Sequence, residues 1–502
     1  IKGLDRIAPA AARTGEALAF ASLLPILAPA SRRPGHAPPR GIGTTRRRTM
    51  SIGDSTISSG APVTDLSRLP VHRRILAIAL PAIIANLTSV LPGVVDTALV
   101  GRTGTAIDLG GIALGATITG FILWAFSFLR LGTAGFAAQA FGAHDESEQR
   151  SSFLRAFGLA LIFGFALILL MVPLGQLAFT LFNAGTASLD VAGRYYYYRM
   201  FAAPFDLILY VVIGWLLGRQ RVRDMLALQV LLNLVNVALC YLLVVHQGLG
   251  VDGAAIATAI SVAIACFAGL GLVRQQFRGL APRGAESRLI ESEKLLGLMA
   301  VNRDIFLRTL VLMAFLAYLV RLGAERGDAT LSANHILFGF ISIIAQGLDG
   351  FAQSTETLVG QAIGARDQRR LSRVVRAASL WCLVFALAIG AALHEWGPGL
   401  LPLFTHDVDI LRIAGAHFLW IAGAPLVAIW CFQLDGIYFG ATRGREIRNG
   451  MLLAVVFGLA AALTLPIFFD NHGIWAALYV FYVMRAIPLI LWYRRIPRAL
   501  AR

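Results

Sequence analysis

The octapeptide AQAFGAHD at residues 138–145 returns as GQAIGARD at residues 360–367. Five of the eight positions are identical: Gln139/Gln361, Ala140/Ala362, Gly142/Gly364, Ala143/Ala365 and Asp145/Asp367, at a shift of 222 residues. Near the same shift, AAPFD (202–206) meets AGAPL (422–426), and GAA (253–255) meets WAA (475–477). Solenoid repeats have periods of roughly 20–50 residues. A period this long means that one large unit occurs twice.

The surrounding residues say what the unit is. Of 502 residues, 57% are hydrophobic, and the mean hydropathy is +0.71. Soluble domains are about 45–50% apolar. Apolar runs of about 20 residues, long enough to cross a bilayer as a helix, recur along the chain. Twelve spans are predicted near 75–101, 109–141, 152–182, 189–218, 224–246, 250–273, 303–323, 330–363, 374–394, 409–441, 447–468 and 473–493. The longest polar connection, RQQFRGLAPRGAESRLIESEK (274–294), divides them six and six. Six is even, so both halves enter from the same side. Parallel repeats of this kind are a transporter architecture, with the site between the repeats near mid-membrane. The expected fold is an all-α polytopic membrane protein of 12 transmembrane helices in two pseudo-symmetric six-helix bundles.

The expected organisation is an N-terminal tail (1–73), a first lobe (74–273), a linker (274–300), a second lobe (301–495) and a short C-terminal tail (496–502). Residues 1–49 carry nine basic and two acidic residues and are rich in Pro, Ala and Arg. EALAFASLLPILAPA imitates a signal peptide, but the expectation is a disordered tail, with a natural start at Met50. The net charge is +16. Its arginines lie between apolar runs, so the expected partner is the membrane lipid and not nucleic acid. Arg-rich loops follow spans 4, 8, 10 and 12 and precede span 1, while VVHQGLGVD (244–252) and DNHG (470–473) have no arginine. Positive loops stay on the cytoplasmic side. Both termini and the 274–294 connection are thus expected inside, in an inner (plasma) membrane. Cys240, Cys266, Cys382 and Cys431 all fall in apolar runs, with neither disulfide-framework nor zinc spacing.

A charged side chain at mid-membrane costs about 2.5–3.5 kcal/mol on insertion scales, so each is a functional candidate by default. Asp96 sits in LPGVVDTALVG (91–101), late in span 1. Asn86, Ser89, Gly93 and Asp96 are spaced 3, 4 and 3 apart, and are expected to share one helical face. Pro81 and Pro92 lie on the same span, and each can bend it. A bendable helix with one buried carboxylate suits an ion-operated switch; the bland reading puts Asp96 in interfacial water. In span 8, Gln346, Asp349, Gln353 and Glu356 repeat the 3, 4, 3 spacing. They are expected to line a cavity or pair with a neighbouring helix, with Arg130 of span 2 as counter-charge. Asp206, Asp435, Asn233 and Asn236 are further candidates, with interhelical hydrogen bonding as the alternative for the two asparagines. The run Tyr195–Tyr198 is expected to be an interfacial aromatic belt.

Neither Lys2 nor Lys294 follows a glycine, so a GK[ST] P-loop is absent from the sequence, as are HExxH and GxSxG. An enzyme is therefore not expected, nor any organic cofactor or metal. Ion-coupled secondary transport remains.

GVVDTALVG, LGGIALGATI, FLRLGTAGFAAQAFGA, GWLLG, NRDIFLRT, GLDGFAQSTETLVGQAIGARD and DGIYFGATRGREIRN together resemble the multidrug and toxic compound extrusion (MATE) family, in its DNA-damage-inducible F (DinF) branch. The resemblance covers about residues 70 to 495. It implies two six-helix lobes around a V-shaped cavity, and efflux of cationic or amphipathic small molecules in exchange for H⁺ or Na⁺. It implies no particular oligomer. The family's helix 1 aspartate matches Asp96, and Pro81 matches a proline linked to bending of that helix. One departure stands out. Relatives often carry Asn-x-x-x-Asp in helix 5; here NVALC (236–240) keeps Asn236 but has Cys240 at the aspartate position. That favours H⁺ over Na⁺. The alternative within the same architecture is a flippase for a lipid or lipid-linked sugar.

Overall fold

The computed structural model describes residues 69–182, 186–280 and 291–500. The expected N-terminal tail up to residue 68 and the middle of the linker (281–290) lie outside the described residues. Pro70–Arg502 is one compact unit.

Every regular element among the described residues is a helix. Span 1 is two helices, α1 (Val71–Thr88) and α2 (Leu91–Thr103). The break falls at Ser89 and Val90, directly before Pro92. Proline is tolerated in the first turn of a helix, where its missing N–H has no partner to lose. Pro81 stays inside α1. The break leaves the backbone near helical, so Val71–Arg102 remains one span. Along it the polar residues meet different partners: Asn86 turns toward span 8, Asp96 is buried among spans 4 to 6, and Ser89 and Gly93 are exposed.

Span 2 is α3 (Ala106–Ala125) and α4 (Phe128–Gly142), and span 3 is α5 (Glu146–Phe182). Span 4 is a pair, α6 (Thr186–Phe201) and α7 (Ala203–Gly218), bent by 52°. Span 5 is α8 (Val222–Cys240), ending in a π turn over Tyr241–His246, and span 6 is α9 (Gly250–Phe277). Spans 7 to 10 are α10 (Ser292–Ala324), α11 (Asp328–Gly364), α12 (Gln368–Leu400) and α13 (Val408–Gly440). The last long element, α14 (Gly444–Trp492), is broken at Asp470 (φ 49, ψ −129), and α15 (Arg495–Leu500) follows it. An unbroken helix through to residue 500 would be about 85 Å long, against a bilayer core of about 30 Å. Counting α14 as two and the bent pair as one gives the twelve expected spans.

The duplication is written into the backbone. Residues with positive φ recur at the 222-residue shift: His144 (55°) with Arg366 (50°), Gln220 (62°) with Thr442 (53°), and Gly248 (69°) with Asp470 (49°). The first two pairs follow helix ends at positive φ, the usual place of a left-handed cap, whereas Asp470, with ψ −129, breaks its helix in another conformation. Behind the first pair the same hydrogen bonds form, Asp145 N to Ala140 O at 3.1 Å and Asp367 N to Ala362 O at 3.0 Å. The next helices start alike too. Asp145 Oδ1 accepts from Glu148 N at 2.9 Å, and Asp367 Oδ1 from Arg370 N at 2.8 Å. Packing repeats as well. Gly214 and Gly218 of span 4 press on the Arg130 and Ala134 carbonyls of span 2; Gly436 and Gly440 of span 10 press on the Ala352 and Glu356 carbonyls of span 8. Only glycine lets membrane helices approach this closely.

Candidate functional site

Asp96 is 1% exposed, held against an apolar cluster that includes Val100, Ile112, Val191, Val244 and Val251. Thr258 of span 6 donates its hydroxyl to Asp96 Oδ2 at 2.9 Å, and Tyr195 of span 4 donates to the same oxygen at 3.4 Å. Asn236 of span 5 donates through Nδ2 to Thr258 Oγ1 at 2.9 Å. The Cys240 thiol, fully buried, stands beside the carboxyl. Asp96 Oδ1 and Asn236 Oδ1 are buried without a hydrogen-bond partner among the described residues. No arginine or lysine among the described residues lies within ion-pair distance of Asp96. The groups that touch this carboxyl are thus neutral hydroxyl, amide and thiol groups, and the Arg199 guanidinium, paired with Asp206, stands within electrostatic reach beyond them.

Two of these groups escaped the sequence reading. Thr258 is one hydroxyl among the alanines of AIATAIS, and carries no charge to mark it. Tyr195 was expected in an interfacial belt. Instead Tyr195 and Tyr196 are buried, Tyr196 donating to Met171 O at 2.8 Å, and only Tyr198 of the run is exposed, at 41%. The start of the run thus faces the interior of the first half of the protein. On either side of the bend in span 4 Arg199 and Asp206 pair at 3.4 Å. Asp206 therefore faces its own helix pair and does not stand in for the carboxylate that Cys240 lacks. Asn233 takes the alternative role: its Nδ2 donates to Thr88 O at 2.9 Å, and its Oδ1 accepts from Gln229 at 3.1 Å, tying span 5 to span 1.

The span 8 stripe keeps its common face, and pairs with neighbours. Gln353 Nε2 donates to Asp349 Oδ2 at 2.8 Å and to Asn86 Oδ1 at 3.2 Å, while Asn86 Nδ2 donates to the Gln346 carbonyl at 3.1 Å. Arg130 reaches Asp349 at 3.6 Å. Glu356, one turn on, is 1% exposed, and its Oε1 has no hydrogen-bond partner among the described residues. Asp435 is held by two arginines the sequence reading passed over: Arg308 of span 7 at 2.5 Å and Arg485 of span 12, both on Oδ2. Their mid-span positions in NRDIFLRT and YVMRAIPL were the available signal. Among the described residues there is no cluster of three or more His, Cys, Asp or Glu side chains suited to a metal ion.

Comparisons with known proteins agree with this architecture. The MatE family model matches twice, over residues 81–242 and 305–464, so each half of the chain carries one copy. The chain is 36% identical over 421 residues to DNA damage-inducible protein F of Escherichia coli K12, covering 83% of this chain and 91% of that protein. It is 27% identical over 443 residues to the probable multidrug resistance protein NorM of Rhizobium meliloti, covering 81% and 90%. A solved structure of a Vibrio cholerae MATE transporter in the bent form superposes with a TM-score of 0.78 at 18% identity, covering 86% of this chain and 98% of that one. Twelve spans among the described residues in two repeated halves, a family match in each half and a 36% identical relative along nearly its whole length lead to one assignment: this chain belongs to the MATE family of membrane transporters.

Proposed function

We propose that the chain is a secondary antiporter that exports cationic or amphipathic small molecules in exchange for protons by alternating access, with Asp96 as the coupling carboxyl group. The observation that carries this reading is Cys240. It occupies the space beside Asp96 as a buried neutral thiol. A sodium site is favoured by several hard oxygen ligands bearing more than one negative charge; hard cations choose carboxylates and carbonyls over sulfur. Here one carboxylate is the whole negative charge of the pocket. A proton needs no more than that. Asp96 Oδ1, buried without a partner, is the oxygen to receive it.

Protonation at Asp96 would neutralise span 1 between its break at Ser89–Val90 and its contacts to Thr258 and Tyr195. Deprotonation would restore a charge that an incoming cation can satisfy. One proton moving down a unit pH gradient supplies about 1.4 kcal/mol, a tenfold concentration ratio. Membrane potential adds about 2.3 kcal/mol per charge per 100 mV if net charge moves. The arginine-rich turns after spans 4, 8 and 10 support a cytoplasmic placement of that end, of both termini and of the linker 274–300 between the two lobes, in the inner membrane.

The test is proteoliposome transport of a cationic dye with proton and sodium gradients imposed separately. The pH gradient should drive uptake or efflux, and sodium alone should not. Asp96→Asn keeps the shape and removes the titration; it should abolish gradient-driven transport while leaving folded protein. Uphill pumping by Asp96→Asn at the wild-type rate would place coupling elsewhere. A second reading, flipping of an anionic lipid, draws support from Arg308 and Arg485 sharing the single carboxylate of Asp435. A fluorescent anionic-lipid assay in the same vesicles distinguishes it.

A further inference from the structure

Gln139 and Gln361 are repeat partners, and each reaches across to the other half of the chain. Gln139 Nε2 donates to the Gly440 carbonyl at 2.8 Å and to Thr442 Oγ1 at 3.2 Å. Gln361 Nε2 donates to the Gly218 carbonyl at 3.1 Å, and its Oε1 accepts from the Gln220 side chain. Gly218 and Gly440 stand at the 222-residue shift, and so do Gln220 and Thr442. The two sets are therefore one contact made twice about a pseudo-two-fold axis. The main chains are equally close. Gly142 lies on the Gln361 backbone and Gly364 on the Gln139 backbone, and a Cβ on either glycine would overlap its neighbour.

We infer that these reciprocal contacts form the closed gate at this end of the transport path, and that Gln139 and Gln361 are the positioning residues that set how often it opens. The inference rests on the alternating-access reading above. A carrier that opens first to one side and then to the other must separate its repeats at each end in turn. At this end the ends of spans 2, 4, 8 and 10 converge, and the bonds that Gln139 and Gln361 donate across the halves are neutral, with one charged hydrogen bond from Arg74 beside them. Neutral amide-to-carbonyl bonds suit a contact that must break and re-form, because water replaces them cheaply on opening. Direct backbone contact at Gly142 and Gly364 makes the closed state one packed arrangement, with no half-open intermediate of the same packing. Arg74, in the first turn of span 1, donates to Gln361 Oε1 at 3.0 Å and to Gln220 Oε1 at 3.4 Å. The gate is thereby tied to the span that carries Asp96.

The test labels the gate directly. His144→Cys and Arg366→Cys place spin labels on the two exposed turn residues that follow the clasp, and the native cysteines are all buried. Pulsed electron resonance in nanodiscs then reads the distance between the halves. Gln139→Leu and Gln361→Leu should each raise the open-to-closed ratio by roughly two- to tenfold, as loss of one such hydrogen bond implies, and the double variant should raise it further. Gly364→Ala acts as a wedge that removes no hydrogen bond, and should shift the ratio the same way. If the leucine variants do not fold, Gln139→Asn and the wedge carry the test, since one keeps the amide and the other keeps both glutamines. Unchanged distance distributions in folded variants would overturn the gate. The readout needs neither gradient nor substrate, so a failure of proton-driven transport in the wild type would sink the coupling proposal and leave this result standing.

Discussion

Replacing Asp435 by asparagine should destabilise the protein far more than replacing either arginine that holds it. Asp435 is 4% exposed, and its Oδ2 serves both Arg308 and Arg485. Asp435→Asn removes the carboxylate that both guanidinium groups touch, and their side chains are 11% and 4% exposed. Removing one partner of a buried ion pair typically costs about 3–5 kcal/mol, because the remaining charge stays buried without compensation. Arg308→Gln is different. It leaves Arg485 and Asp435 as a neutral pair, and its cost should be nearer the 1.5–3 kcal/mol of a lost charged hydrogen bond, roughly. The two variants should therefore differ by about 2 kcal/mol, near thirtyfold in the folded-to-unfolded ratio. Adding Arg308→Gln to Asp435→Asn should recover part of the loss, since residues in direct contact couple by about 0.5–3 kcal/mol. Thermal unfolding in detergent, followed by size-exclusion fluorescence, ranks the variants, and dye transport is measured on the folded fraction. Greater damage from Arg308→Gln than from Asp435→Asn would refute the role assigned to charge. Wild-type stability of Asp435→Asn with lost transport would move Asp435 from the structural cluster to the substrate path.

Cys240→Asp restores a second carboxylate beside Asp96 and should confer sodium-stimulated transport, which the wild type should lack; identical sodium responses in the two would remove Cys240 as the determinant of ion choice. A single cysteine placed at Arg283, in the 274–294 connection, should resist an impermeant maleimide in right-side-out cells and react once the membrane is opened. Ready labelling of intact cells would reverse the proposed topology.

Much of the fold was legible because it rests on local quantities. A bilayer demands about 20 apolar residues per helix, and that demand is visible in any window of the sequence. The duplication showed in AQAFGAHD and GQAIGARD because helix ends need particular residues: a left-handed position, then an Asp cap. The buried carboxylates were also visible, since a charge in an apolar run stands out whatever it touches. The facing of those groups was not. Asn86 and Asp96 read as one helical face, yet one meets span 8 and the other spans 4 and 6, and Tyr195 read as a surface aromatic but is buried against Asp96. Thr258, Arg308 and Arg485 gained meaning only from partners 162, 127 and 50 residues away. The reciprocal grip of Gln139 and Gln361 likewise needed both repeats placed face to face. Hydropathy adds up along the chain, so the sequence alone specified how many spans form. Hydrogen bonds and ion pairs depend on where helices break and which faces then meet, and only the tertiary structure decides that.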